Sequence, residues 1–517
     1  MTTSGAPWPK SHQDNLEYRA KVQALALSDP QFAAACYTRS TEGFEGLLFW
    51  LNTFVSTYEP RAAQQTALGF KSATIPFVTW PYQDTYLESL FNAIMTGQDM
   101  LTEKARDMGV SWMVLAVMLW YWQFGKEGSD FLIGSRKEEY VDVRGNMSSL
   151  FPKLRLMLKS QPAWMLPGVK SKGGPRHLDL REEGHVKKYS PHLTLLNPET
   201  GSVIRGEANN LNFGSGGRVK GALLDEFAKW TTTDEAAWRS LGDTTPCRLP
   251  VSSANGTQNH FYRLRNGDEG EIKVERLVWR LHPLKDEVWY AGEKKRRSKS
   301  ELAGEVDIDY AASVSNRAYE DFDFAIHVGE CLERVELPLV LMCDFNIDPM
   351  CWSIWQEYGP RAECVGEMAM RHTSTSNAAE EFCKRYAGRR LKVVHIYGDY
   401  TGSYRQRAGK GLASDFDVLQ RILKREGWNV GLHIQSPPRV PDRVKALNKR
   451  LKDYEHKDQS WILIDPSCRV MIESFTQTRA VEGGLDKKNN IEHMTDGPGY
   501  WADYRYSVRA KARSYAA

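Results

Sequence analysis

The sequence predicts a two-domain α/β protein whose first domain is built on a mainly parallel sheet, and three observations lead there. From Phe131 onward, apolar runs at 131–134, 221–224 and 250–253 alternate with segments of helical period, the pattern that crossover helices impose on parallel strands. A charged stretch from Lys294 to Asp309 then interrupts the pattern, and strand-like runs resume at 338–343, 391–397 and 461–465. The length, 517 residues, accommodates several folding units at about 150 residues each. We therefore expect a helical cap or lid at 1–60, carrying the aromatic cluster GFEGLLFWLNTFVSTYEPR. The parallel-sheet domain should occupy 61–330 and a second α/β domain 331–517.

Composition excludes several classes. Lys and Arg number 68 against 65 Asp and Glu, so the chain as a whole projects no single-sign field, and any nucleic-acid partner must meet a local patch. Basic residues gather at 294–300 (KKRRSKS), at 439–457 and at 505–513. The first run reads equally well as a solvated helix face, and the other two are of a kind that can track a DNA backbone. Eight cysteines without a C-x-x-C pair are too few for a disulfide scaffold, which points to a reducing compartment. The longest apolar run, Trp112 to Trp122, is 11 residues, short of the roughly 20 that cross a bilayer, and the first residues lack a signal-peptide pattern. No membrane association is expected.

Two constellations carry chemistry. In the first, KARDMGVSW (104–112) leads into an apolar helix, and a Gly before a helix that opens with Ser is what a phosphate cradle requires: backbone N–H groups meet the anion and the hydroxyl meets Mg²⁺. Val110 stands where G-x-x-x-x-G-K-[ST] has its lysine; Lys104 and Arg106, a few residues earlier, are candidates to supply the cation from the other side of the loop. The run GALLDE (221–226) ends in Asp225 and Glu226, an arrangement in which the first acid holds Mg²⁺ and the second polarises water for attack on a γ-phosphate. The polar turn SSANGT (252–257), with Asn255, is suited to sensing the nucleotide. Gln83, preceded by aromatics in PFVTWPYQ, has an amide able to read adenine while rings stack.

The second constellation is acidic. Asp344 ends LVLMCD, Asp399 ends VVHIYGD, and Asp496 lies in HMTDGPGY. Carboxylates gathered from separate elements suit a pair of Mg²⁺ or Mn²⁺ ions that flank a scissile phosphodiester, because hard cations want several oxygen ligands. Asp348, Asp503 and Asp465 are spare acids close by, and Asp465, before Pro466, is also suited to ending a strand.

Taken in order, LFWLNTFVSTYEPR, the Gln83 turn, KARDMGVSW, ALLDEFA, SSANGT, CDFNIDPM, YGDYTG, Ser436-Pro-Pro, IDPSC and DKKNNIEHMTDGPGY resemble the large terminase subunits of tailed bacteriophages, over roughly Phe49 to Tyr506. The resemblance implies an N-terminal P-loop ATPase of the ASCE type followed by a C-terminal nuclease of RNase H-like fold. It implies that Gly109 and Ser111 belong to a variant Walker A loop with Lys104 or Arg106 as its basic group, that Asp225 holds Mg²⁺, and that Glu226 is the catalytic carboxylate. Ser253 to Thr257, including Asn255, would be the coupling motif, and Gln83 the adenine sensor. Asp344, Asp399 and Asp496 would form the metal-binding triad, with Asp496 preferred over Asp503, and Arg136 would be a candidate arginine finger. The implied activities are ATP-driven movement of double-stranded DNA into a procapsid and Mg²⁺- or Mn²⁺-dependent cutting of concatemeric DNA. The implied partners are a small terminase subunit and the portal, with the chain in a homo-oligomeric ring in the host cytoplasm. The alternative is a helicase-like ATPase with an inactive nuclease-like domain.

Overall fold

The structure, a computed structural model, describes residues 8–61, 72–170, 176–230, 233–268, 270–314, 316–346, 348–398, 414–434, 438–452, 461–481, 484–487 and 490–507. The chain divides into two compact units, Met1–Ser313 and Val314–Ala517.

The first unit begins with three helices, α1 (His12–Ser28), α2 (Pro30–Ser40) and α3 (Gly43–Phe54). They are not a separate cap. Leu47 to Phe54 of α3 are buried without a break and belong to the same core as the helices that follow, α4 (Pro81–Thr96) and α5 (Val110–Phe124). Trp50 Nε1 donates to Gln161 Oε1 at 2.9 Å, and Trp120 Nε1 of α5 donates to the Ser40 carbonyl at 2.8 Å. A helix apolar on every side has no solvent face to offer, so the expected lid is built into the unit instead.

The sheet of this unit has seven strands: β1 (Met100–Lys104), β2 (Phe131–Ser135), β3 (Thr194–Leu196), β4 (Val203–Ala208), β5 (Gly221–Asp225), β6 (Arg248–Ser252) and β7 (Lys273–Leu277). Their order across the sheet is β7-β1-β6-β5-β2-β4-β3. All neighbours are parallel except β3, which runs antiparallel to β4 at one edge. The interposition of β6 between β1 and β5 is the ASCE arrangement, and it leaves the carboxyl ends of β1 and β5 on one rim of the sheet. Successive residues face opposite layers. Leu223 joins the core with α5, while Ala222 and Leu224 join the core with Phe227, Trp230 and Trp238.

In the second unit, β8 (Leu339–Asp344), β9 (Met350–Tyr358) and β10 (Arg361–Met370) form an antiparallel meander, and β11 (Val393–Gly398), β12 (Asn429–His433) and β13 (Ile462–Ile464) complete the sheet in the order β12-β11-β8-β9-β10-β13. Strands β11 and β12 are parallel to the β8 side, the RNase H-like topology. Leu339, Leu341 and Cys343 pack toward the helices Thr375–Arg385 and Asp415–Arg425. Val340 and Met342 pack toward Val440–Lys452, Arg469–Gln477 and the last helix, His493–Tyr506.

The boundary falls ahead of the expected 330/331. Tyr319 and Phe322 each meet the ring of Phe475 at 5.0 Å, so burying their rings draws this segment into the second unit. The KKRRSKS run closes a helix, Glu287–Arg296. Arg296 and Arg297 both reach the buried carboxylate of Glu293, at 2.6 Å each, so this part of the run has a structural duty. All eight cysteines are buried and free of disulfides, and no described helix is long and apolar enough to cross a membrane.

Two substitutions test this packing. Ile133→Ala, in the fully buried centre of β2, should destabilise the protein by about 2–5 kcal/mol, read as a lower urea midpoint. A Cβ on Gly497 would lie 2.9 Å from the Met342 backbone carbon and oxygen, so Gly497→Ala should push the last helix off β8 at a cost of about 1–3 kcal/mol. An unchanged midpoint in the latter would mean that the helix does not depend on this close approach.

Candidate functional site

Strand β1 ends in two charged residues that face opposite ways. Glu103, fully buried, takes Arg265 Nε at 3.1 Å and Tyr310 Oη at 2.8 Å. Lys104 turns to the other face, where its Nζ lies 3.0 Å from Glu226 Oε1. The chain then loops to Gly109, whose φ of 78° is left-handed backbone that glycine adopts without strain, and α5 begins. Gln83 stands against this turn: a Cβ on Gly109 would sit 3.0 Å from Gln83 Nε2. Its Oε1 accepts from the Trp80 amide, and the neighbouring Tyr82 hydroxyl donates to the Met108 carbonyl at 3.0 Å. The aromatics anticipated beside Gln83 are thus on the loop, with His282 4.4 Å from the Trp80 ring.

Ser111, in the first turn of α5, donates to Asp225 Oδ1 at 3.1 Å, which joins the hydroxyl and the first acid across the interposed strand. Asp225 is buried and Glu226 only partly so. Burial and the neighbouring Glu226 raise the Asp225 carboxyl above its ordinary value. Burial acts on Glu226 in the same direction, but Lys104 and Lys229 outweigh it and hold this carboxyl far below the usual range. Lys104 is likewise kept charged: burial opposes its ammonium, and Glu226 and Asp225 more than compensate. Glu226 itself has φ 54°, uncommon for a residue with a side chain.

The site contains groups that the sequence does not single out. Lys229 Nζ bridges Glu226 Oε2 at 2.7 Å and Glu305 Oε1 at 2.9 Å, and Glu305 also binds Arg106 at 3.3 Å and Ser253 Oγ at 3.3 Å. Lys229, three residues after Glu226 in DEFAK, is findable as a short-range charge pair, whereas Glu305 has no local signal. Asn255 does not touch the acids. Its Nδ2 donates to the Ala228 carbonyl at 2.8 Å and ties the polar turn to the segment that follows Glu226. Arg136 is exposed and folds back on Tyr140, 4.6 Å over the ring.

In the second unit Asp344 ends β8. Asn346 Nδ2 and His493 Nδ1 approach its Oδ2 at 2.7 and 2.8 Å. His493 opens the last helix, and Asp496, one turn later, lies on the same side. One ligand atom from each of Asp344, His493 and Asp496 falls within 4.8 Å of the others. Asp496 is buried against Arg443, Nη2 to Oδ1 2.7 Å, and burial pushes its carboxyl up to about 6 against the pull of that guanidinium. Glu492, fully buried, has no hydrogen-bond partner on either oxygen among the described residues, and its Oε1 is 3.6 Å from His493 Nε2. Two carboxylates and an imidazole, with buried oxygens still seeking charge, fit a divalent metal ion.

Asp399 lies outside the described residues, as do Ser436, Pro437 and positions 508–513 of the basic tail. The strand before Asp399 ends at Gly398, paired with Cys343. Asp503, two turns beyond Asp496, is buried but is not in the cluster. Asp348 is exposed, 3.6 Å from His372. Asp465 accepts from the Ser467 and Cys331 amides at 3.0 Å each, a turn-capping role. His493 is legible in hindsight as a His and an Asp three apart in one helix, although the expected ligand set takes only the acid.

No protein-family model matches the sequence, and no curated protein matches it. Among solved structures the chain is similar to the large terminase of a thermophilic bacteriophage in complex with ATP-gamma-S, at 14% identity over 83% of this chain and 98% of that one, with a TM-score of 0.34. It is similar to the HK97 bacteriophage large terminase at 11% identity over 88% and 99%, with a TM-score of 0.39. The nuclease domain of the large terminase of bacteriophage SPP1, with bound Mn, matches 36% of this chain and 97% of its own at 18% identity, with a TM-score of 0.24.

Proposed function

We propose that the chain is a DNA-packaging motor of the large-terminase kind, which hydrolyses ATP at the Ser111–Asp225–Glu226 site and cuts double-stranded DNA at the Asp344–His493–Asp496 site. The observation that carries the first half is the hydrogen bond from Ser111 to Asp225 with Glu226 held ionised beside it. In this reading the amides of the first turn of α5 receive the phosphates, and Gln83 reads the base. The ionised Glu226 orients a water for attack on the γ-phosphorus and accepts its proton as ADP and phosphate form. Ser111 and Asp225 are the residues that would hold Mg²⁺, whose charge favours the transferring phosphoryl group.

The second half is supported by Asp344, His493 and Asp496 converging within 4.8 Å. A divalent ion, Mg²⁺ or Mn²⁺, held there would supply Lewis acidity toward a phosphodiester and a more acidic water. Asp399 is assigned to the same cluster from the sequence. Arg443 and Asn346 orient Asp496 and Asp344, so that the two carboxylates are fixed before DNA arrives. The order of sequence motifs supports DNA translocation as the use of the ATPase. A small terminase subunit, the portal of a procapsid and a ring of copies of this chain in the host cytoplasm are the partners and setting that follow.

Two variants test the halves separately. Glu226→Gln removes the base while keeping the volume, and should cut steady-state ATP hydrolysis by roughly 100-fold or more with ATP binding and DNA cutting retained. Unchanged hydrolysis would sink the assignment of Glu226. Asp344→Ala should reduce Mn²⁺-dependent plasmid cleavage to background and leave ATPase within about twofold of wild type, because the two sites lie in different units. Normal cutting by that variant would remove Asp344 from the site.

A further inference from the structure

The first turn of α5 is short of a cation. Val110, between Gly109 and Ser111, is apolar and buried, so no positive charge enters there. The basic side chains at the loop are already committed: Lys104 to Glu226, Arg106 to Glu305, and Lys229 to both acids. A shared carboxylate cannot release its lysine cheaply, because Glu226 would then be left as a partly buried anion with one partner fewer.

One lysine near the acids is uncommitted. Lys153 stands in the first turn of the helix Leu150–Lys159, after β2. Its Nζ lies 5.9 Å from the ring centre of Trp112, the residue that follows Ser111. Among the described residues no carboxylate comes within 4.0 Å of this nitrogen. The charges that act on it are those of the nucleotide site: Asp225 first, then Lys104 and Glu226. Burial, with Lys104 adding to it, holds this ammonium below its ordinary value, and an arriving anion would relieve both effects.

We propose that Lys153 is the phosphate-contacting cation of this site, reaching the first turn of α5 from the neighbouring helix in place of a lysine at position 110, while Lys104 stays on Glu226. The inference rests on the nucleotide reading above and goes beyond it by assigning the phosphate charge to a residue outside the loop. It also separates two duties. Lys104 keeps the base ionised, and Lys153 neutralises substrate, so their losses should differ in kind: substituting Lys104 lowers turnover, and substituting Lys153 lowers ATP affinity.

The test is isothermal titration of ATP with Mg²⁺, and separately of adenosine, into the full-length wild type, Lys153→Met and Lys153→Arg. Methionine keeps an unbranched stem against Trp112 and removes the charge; arginine keeps the charge. Lys153→Met should weaken ATP roughly 10- to 100-fold, the range of one charge-assisted contact, with adenosine within about twofold of wild type and much of the ATP affinity recovered in Lys153→Arg. ATP affinity within about twofold of wild type in Lys153→Met would overturn the proposal and leave the lysine as a cover for the indole. Equal loss of ATP and adenosine binding would overturn it too, since a phosphate contact does not hold the nucleoside. Failure of the wild type to bind ATP is a different result: it brings down the nucleotide reading, and this inference with it.

Discussion

The N-terminal site depends on a row of alternating charges, Arg106, Glu305, Lys229, Glu226 and Lys104, each within 3.3 Å of the next. A single ion pair in such partly buried surroundings is worth little, because desolvation cancels most of the Coulomb attraction. Linked in a row, Glu305 and Glu226 each serve two cations, so neither carboxylate is left single when the side chains leave water. This row ties together the end of β1, the turn after β5 and the segment at Glu305. It also explains how Glu226 keeps a left-handed backbone that costs on the order of 1 kcal/mol: both of its oxygens are held from outside. In the proposed function Glu226 takes a proton from water and has to be an anion before the substrate arrives, and the row keeps it one.

The C-terminal site is assembled by close approach instead. Asp344 is placed by a central strand, and His493 and Asp496 by a helix that crosses directly over that strand. Gly497 is what permits the crossing, since any side chain there would strike the Met342 backbone. Arg443 then neutralises Asp496 from the opposite side, and Glu492 adds a third buried carboxylate to Asp344 and Asp496. Burial, with Asp344 and Glu492 adding to it, raises the Asp496 carboxyl against the pull of Arg443. The two units therefore differ electrostatically: the charges are balanced within the protein in the first, and the second has an excess of acid that a cation would balance in the proposed function.

How much is legible in the sequence follows from the range of the forces involved. The uniformly apolar runs at β2, β5, β6, β8, β11 and β13 read as strands within about two residues, because a strand buried on both faces needs no partner to be recognised. Strand β1 is not among the runs that read as strands. Its MLTEK ends in two charges, and a charged residue in a central strand looks exposed until Arg265 and Tyr310 are found beside Glu103. The meander β9–β10 escapes the sequence pattern as well, since polar residues such as Ser353, Gln356 and Glu363, buried in the fold, break up its apolar runs.

By itself, then, the sequence determined the two α/β units, the glycine turn with Ser111 after it, the acid pair at the end of a buried strand, and the acids at Asp344 and Asp496. These are set by backbone preference and side-chain period within a few residues. Which distant charges meet was decided only by the tertiary structure. Glu305 is far along the chain from Arg106 and Lys229, Lys153 comes from another helix, and His493 lies far from Asp344. Nothing local distinguishes these residues from solvated ones, because a charge is assigned a partner only when strand order and helix crossing bring two buried surfaces together and water is removed between them.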